Sequence, residues 1–381
     1  MSRDLVYVSP IPWRGLHQRP QHMALALAAG RRVLFVEPRT LHAPPPPPDG
    51  LDGGAPTLAF LALPVLPVNA RQPLLRALAR LGGQVALLRD GLARRQGLLL
   101  RGKLAALGFR EPLLLFGHPE LADLREILPG APVAYDHMDD VLAFGRTPAV
   151  LRHALRALVR EAALLSASSA HLAEQLRALG GREPLLVGNG VEFARFAAEP
   201  PPPAPAALAA LPRPRCLYVG SVAEWFDLEL LFAVARALPA ASFPVIGPLR
   251  PALAPRLQGA PPNCHFLGAR PYAELPAWLR HADAGLIPFR RTPLTAGVDP
   301  VKLYEYLAAG LPVLATPFSA ALEAAAAAGA VCLAEGAEAF ATALRALLAS
   351  PPPAERGLHA LAAPRSWDRQ LAPLLGALDA L

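Results

Sequence analysis

Short apolar runs ending in Gly, Pro or Ser recur along the whole 381-residue chain, and stretches with apolar residues at helical spacing lie between them. The first half carries DLVYVSP, RRVLFVEP, PLLLFGHP, APVAYD, ALLSASS and EPLLVGNG, and the second carries RCLYVGSV, SFPVIGP, CHFLGARP, AGLIPF, PVLATP and AVCLAE. Helical patterns such as PQHMALALAAG, AVLRHALRALVREA, DLELLFAVARAL and SAALEAAAAAG fill the intervals. Runs that are apolar throughout belong to strands covered on both faces, and a helix after each strand is the crossover that parallel pairing requires. The pattern predicts an α/β protein, and two successive series predict two Rossmann-like, doubly wound domains. A hydrophobic content of 53% is ample for two cores.

The proline-rich run from Glu199 to Arg215 is expected at or beside the linker between the halves, and His42 to Pro56 reads as an exposed loop. Charge is concentrated: Arg71 to Arg110 holds nine Arg and Lys against the single acid Asp90, interleaved with leucines. Such a stretch suits an anionic membrane surface or an anionic acceptor, or else a solvated helical face. Without aromatic interleaving or a recognised motif, nucleic acid is not an expected partner. Cys216, Cys264 and Cys332 are too few and too scattered for a disulfide framework or a metal site. No run reaches the ~18 apolar residues of a membrane span, and the N-terminus enters a strand at once. The expectation is a cytoplasmic protein, soluble or peripheral at the inner face of the membrane.

In open parallel sheets ligands bind beyond the carboxyl ends of the strands. In the second half those ends offer Gly220 and Ser221, then Gly247, then Arg270 and Tyr272, then Arg290 and Arg291. The glycines allow backbone to approach a ligand, Arg270 and Tyr272 could frame a nucleobase, and Arg290 could add positive charge. In the first half His17, Gln18 and Arg19 lie in the loop after the first strand and at the start of the helix that follows. Asp136, His137, Asp139 and Asp140 follow the APVAYD strand, where Asp139 or Asp140 is either a general base or the cap of the next helix.

The segment DPVKLYEYLAAGLPVLATP, Asp299 to Pro317, is the densest in chemistry. Asp299 is expected to cap a helix with Pro300 in its first turn, and Leu303, Tyr306, Leu307 and Ala308 form its apolar face. Lys302 and Glu305 lie one turn apart at the positive end. Free N–H groups and an amine suit a phosphate, and the carboxylate suits sugar hydroxyls. The plain alternative is an i, i+3 surface ion pair worth a few tenths of a kcal/mol. P-loop, GxGxxG and GxSxG signatures are missing, which removes support from ATPase, dinucleotide oxidoreductase and α/β-hydrolase chemistry.

HQRPQHMALALA, YDHMDDVLAF, VGNGVEFARF, YVGSVAEWFDLELL, LGARPYAELPAWLRHADAGLIPF and DPVKLYEYLAAGLPVLATP, in this order, resemble bacterial GT-B glycosyltransferases of the glycosyl transferases group 1 type. The resemblance implies two Rossmann-like domains facing a cleft: an acceptor-side domain at 1–190, a domain binding the nucleotide sugar at 191–365, and a last helix, 366–381, crossing back. It implies sugar transfer from a nucleotide-diphosphate donor to a hydroxyl of a glycan, lipid-linked or other acceptor in polysaccharide or glycoconjugate synthesis, without a metal or other cofactor. Gly220, Ser221, Gly247, Arg270, Tyr272, Arg290, Lys302, Leu303 and Glu305 fall in its donor-binding segments. Glu305 matches the glutamate that binds donor ribose. Lys302 resembles the phosphate lysine of exopolysaccharide glucuronosyltransferases. MDD, with Asp139 and Asp140, is nearest to the stretch holding their base. Retaining members carry a second glutamate eight positions before the first, where this chain has Gly297, so retention or inversion is unassigned. Two other functions fit the same fold: a non-catalytic nucleotide-sugar-binding partner and a GT-B-fold nucleotide-sugar epimerase.

Overall fold

The computed structural model describes residues 3–39, 45–49, 57–65, 86–143, 149–349 and 355–381. Arg71–Val85, most of the His42–Pro56 segment and part of the chain after Leu142 lie outside them. The chain forms two compact units, Met1–Val187 with Leu371–Leu381, and Gly188–Gln370.

The first unit is built on a parallel seven-stranded sheet. Its strands are β1 (Leu5–Val8), β2 (Val33–Arg39), β3 (Leu58–Pro64), β4 (Leu113–Phe116), β5 (Val133–His137), β6 (Leu164–Ala167) and β7 (Leu185–Leu186), in the spatial order β3-β2-β1-β4-β5-β6-β7. Helices α1 (Arg19–Ala28), α2 (Ala86–Leu107), α3 (Ala149–Glu161) and α4 (Ala170–Ala178) cross between strands. Strand β3 was not among the expected runs. It sits at the sheet edge, its residues alternate Leu and Ala, and only pairing with β2 from Val33↔Leu58 to Arg39↔Pro64 distinguishes it from a loop. Order reverses between β1 and β4, which places the loops after them at the switch point.

The second unit carries a parallel six-stranded sheet with all six expected strands: β8 (Cys216–Val219), β9 (Phe243–Ile246), β10 (Cys264–Gly268), β11 (Ala284–Ile287), β12 (Val313–Ala315) and β13 (Cys332–Leu333). Their order is β10-β9-β8-β11-β12-β13, with the switch between β8 and β11. Its longer helices are α5 (Leu228–Ala237), α6 (Val301–Ala308), α7 (Ala320–Ala327), α8 (Ala337–Ala349) and α9 (Glu355–Ala362); α10 (Trp367–Asp379) leaves it for the first unit. The Glu199–Arg215 run belongs wholly to this unit, where the buried Arg215 donates to the carbonyls of Ala209 and Leu211.

No helix among the described residues is long and apolar enough to cross a membrane.

Candidate functional site

The switch point of the second sheet is where the chemistry collects. Gly220 follows β8 at φ 142° and Gly247 follows β9 at φ 141°, backbone that side chains other than glycine's rarely adopt. Their strand ends interlock: the Gly220 N–H donates to Ile246 O at 2.8 Å, and the Gly247 N–H donates to Gly268 O at 3.0 Å. A β-carbon on Gly247 would come 1.9 Å from Gly220 O, so neither alanine nor anything larger fits there.

Helix α6 is docked by Tyr306. Its hydroxyl accepts the Val219 N–H at 2.8 Å, and its ring lies over Gly285 of β11, where a β-carbon would meet Tyr306 Cδ2 at 2.4 Å. One turn earlier this docking carries Lys302 over Gly220, whose β-carbon would lie 3.1 Å from Lys302 Cε. The ammonium then rests 4.6 Å from the Phe289 ring centroid and 5.7 Å from that of Tyr218. Cation–π attraction of this kind is worth about 0.5–2 kcal/mol. Among the described residues no carboxylate forms an ion pair with Lys302, so the surface-pair alternative does not hold. Burial lowers the amine's pKa to about 8, with Glu305 opposing.

Glu305 points into the protein and is 6% exposed. Burial pushes its pKa up to about 7, while Lys302 and the nearby Tyr272 hydroxyl pull down and Glu192 adds to the rise. A carboxylate buried this far without an ion-pair partner is a strong acceptor for hydroxyl donors.

Other expected donor residues are placed less directly. Tyr272 packs edge-on against Phe196 at 5.8 Å, with Arg195 over its ring. The Arg270 guanidinium lies 5.5 Å over Trp278. Ser221 is half-buried, and its carbonyl accepts the Tyr218 hydroxyl at 2.8 Å. Arg290 opens on a cavity of about 360 Å³ with Asp227, Leu230, Phe289, Thr316 and Gly336, and sits 3.7 Å from Asp227. Leu303 is a correction: its side chain is fully buried in the core, and its N–H donates to Pro300 O at 3.0 Å. Asp299 is another. Pro300 takes the cap position, and no side chain caps the helix.

In the first unit Arg19 is 3% exposed and forks onto Asp136 through two 2.8 Å bonds, with Ser166 donating to the same carboxylate at 2.7 Å. Its guanidinium is a buried ion pair rather than a surface group awaiting an acceptor. Gln18 opens α1, its N–H bonded to Gln21 Oε1 at 3.0 Å, and His17 packs edge-on against His22 at 4.3 Å. Asp140 caps a turn at residues 141–143 rather than a helix: Oδ1 accepts the N–H groups of Leu142 and Ala143, and Oδ2 accepts Gln175 Nε2 at 2.6 Å. Asp139 is exposed. Its pKa is pushed up to about 7 by the protein crowded around it and by Asp136 and Asp140, against the pull of Arg19.

Sequence reasoning missed Tyr218, Phe289 and Tyr306. Tyr306 was seen as an apolar-face residue, and its pairing with Gly285 across the sheet has no local signature. Among the described residues no cluster of three or more His, Cys, Asp or Glu could hold a metal ion.

Residues 213–350 match the family model for Glycosyl transferases group 1. Over 172 residues the chain is 27% identical to TuaH of Bacillus subtilis (strain 168), which carries the name of a teichuronic acid biosynthesis glycosyltransferase; the match spans 44% of this chain and 43% of that one. The whole fold is similar to sucrose-phosphate synthase from Thermosynechococcus elongatus, with a TM-score of 0.73, 16% identity and 99% of both chains covered. It is also similar to the E. coli trehalose-6-phosphate protein bound with UDP-2-fluoro glucose (0.71, 15%, 99% of both). A third likeness is Anabaena HepE in complex with UDP and glucose (0.68, 15%, 100% of both). At these identities the likeness is one of fold, the GT-B arrangement of two Rossmann-like sheets.

Proposed function

We propose that this chain, whose residues 213–350 match the family model for Glycosyl transferases group 1, transfers a hexosyl group from a nucleotide-diphosphate sugar to an acceptor hydroxyl. The observation that carries this reading is the pair Lys302 and Glu305 on α6: an amine held over the glycine backbone of Gly220, and a buried carboxylate one turn on. The relatives' names and ligands support it, since solved structures with this fold hold UDP, UDP-glucose or a fluorinated analogue.

Breaking the bond between anomeric carbon and phosphate oxygen leaves negative charge on the departing diphosphate. The Lys302 amine and the backbone N–H groups of Val301 and Lys302 stabilise that charge. Glu305 accepts hydrogen bonds from the ribose hydroxyls and fixes the nucleoside, so that the diphosphate meets the amine. The acceptor proton goes to Asp139, whose raised pKa suits a base working near neutrality. Asp140 stays with its cap.

For the acceptor we propose a glycan or lipid-linked hydroxyl in polysaccharide synthesis, with the protein held at an anionic membrane surface by α2. Leu98 and Leu99 are 74% and 40% exposed there, flanked by exposed Arg94, Arg95 and Arg101. The test is a panel of UDP-, GDP- and dTDP-sugars screened by thermal shift, followed by transfer to acceptors with the donor that stabilises the chain. Lys302→Ala should reduce turnover about 10²-fold or more. Equal turnover by wild type and variant would remove the amine from the mechanism.

A further inference from the structure

We infer that Asp299 is a positioning residue of the donor site, one whose carboxylate is held away from the start of α6 so that the Val301 and Lys302 N–H groups stay open to a diphosphate. The inference rests on the donor reading above.

An aspartate two residues before a helix would ordinarily turn its carboxylate onto the first N–H groups, where an anion would otherwise bind. Here it does not. Asp299 is 5% exposed and its two oxygens go elsewhere: Oδ2 accepts the Asn189 backbone N–H at 2.7 Å, and Oδ1 accepts the Tyr304 hydroxyl at 2.5 Å. The main chain is pinned as well, since Asn189 Nδ2 donates to the Asp299 carbonyl at 2.6 Å. Arg365 lies 5.1 Å over the Tyr304 ring, which places a cation beside the same cluster. Gly188 leaves room for this. A β-carbon there would stand 3.1 Å from Asp299 Oδ2 and 3.0 Å from an Arg365 nitrogen.

Geometry gives the arrangement its consequence. Tyr304 belongs to α6 itself, so its bond to Asp299 ties the first full turn of the helix back onto the residue preceding Pro300. Pro300, in extended backbone at φ −79° and ψ 108°, offers no N–H of its own. A second carboxylate near Lys302 would neutralise the charge that the diphosphate needs. Asp299 is kept out of that place by the hydroxyl of Tyr304 and the amide of Asn189.

The experiment compares Asp299→Asn and Tyr304→Phe with wild type by calorimetric titration, using UDP, GDP and dTDP alongside the matching nucleosides. Tyr304→Phe frees the carboxylate and should bind the preferred diphosphate about tenfold more weakly, the equivalent of one charge-assisted hydrogen bond, with nucleoside affinity unchanged, whereas Asp299→Asn leaves no carboxylate to turn and should bind it as wild type does. Diphosphate and nucleoside weakening together in either variant would mean that the cluster only stabilises the fold, and unchanged diphosphate binding by Tyr304→Phe would also overturn the inference. Wild type binding none of the three diphosphates would overturn the donor reading itself, and this inference with it.

Discussion

Lys302 Cε lies 3.1 Å from where a β-carbon on Gly220 would stand, so the lysine stem occupies the space that a side chain there would need. The same β-carbon would come 2.9 Å from the Tyr218 hydroxyl, and the backbone at φ 142° is outside the range an L side chain readily takes. Gly220→Ala must therefore distort the loop or displace Lys302. The expected outcome is a destabilisation of about 1–3 kcal/mol together with loss of the thermal shift that a nucleoside diphosphate gives wild type. A variant that keeps the full shift would show that the loop does not touch the ligand.

The amine's pKa, lowered to about 8 by burial, makes diphosphate binding depend on pH in a definite direction. Below about 8 the amine is charged and attracts the anion. Above it the free protein holds a neutral amine that must be protonated before it helps, so affinity falls as pH rises, up to about tenfold per unit. Lys302→Arg carries a charge that does not titrate in this range and should flatten the profile between pH 8 and 10. Titrations of UDP against both proteins across that window give the comparison; parallel profiles would assign the slope to another group.

Glu305 supplies a prediction of opposite bearing, on stability without ligand. Its pKa is raised to about 7 in the folded chain from 4.5, so the folded state holds the proton more tightly than the unfolded one. The sign follows: stability is lost as pH climbs from about 4.5 to 7, and the whole penalty is present above 7. Glu305→Gln removes it. The variant should gain on wild type through that interval, reaching on the order of 2 kcal/mol near neutrality, while losing affinity for ribose-containing ligands. Denaturant melts at pH 4.5, 6 and 7.5 measure the gain, and a constant difference across the three would contradict it.

The second sheet was legible because its strands are short, largely apolar runs, most of them closed by Gly or Pro, so period and punctuation agree. Lys302 and Glu305 were legible because three residues of helix put them on one side whatever surrounds them. What encloses them was not, since Phe289, Tyr218 and Gly285 come from other strands and only the sheet brings them together. Asp299 shows the limit most plainly. Its place before Pro300 satisfies every local rule for a cap, and Asn189, 110 residues away in sequence, takes its carboxylate instead. Asp140 went the other way, with capping by Asp140 Oδ1 of Leu142 and Ala143 settled within three residues.

Helix α2 turns Leu98 and Leu99 outward between arginines while Leu100 and Leu104 face the core, and Leu98 is 74% exposed. Arginine stems and leucines on one helical face suit the boundary between headgroups and acyl chains, where each cation contributes about 1 kcal/mol on an anionic leaflet. Co-sedimentation with vesicles of phosphatidylcholine containing 30% phosphatidylglycerol, a proportion chosen at roughly the anionic share that makes such surface attraction measurable, should retain wild type, and added salt should release it. Arg94→Ser with Arg95→Ser should weaken retention about tenfold or more, and Leu98→Ser should weaken it at every salt concentration, because burial of an apolar side chain is not screened. Equal retention on pure phosphatidylcholine, or none on either vesicle, would leave this face to the solvent and confine the chain's chemistry to soluble acceptors.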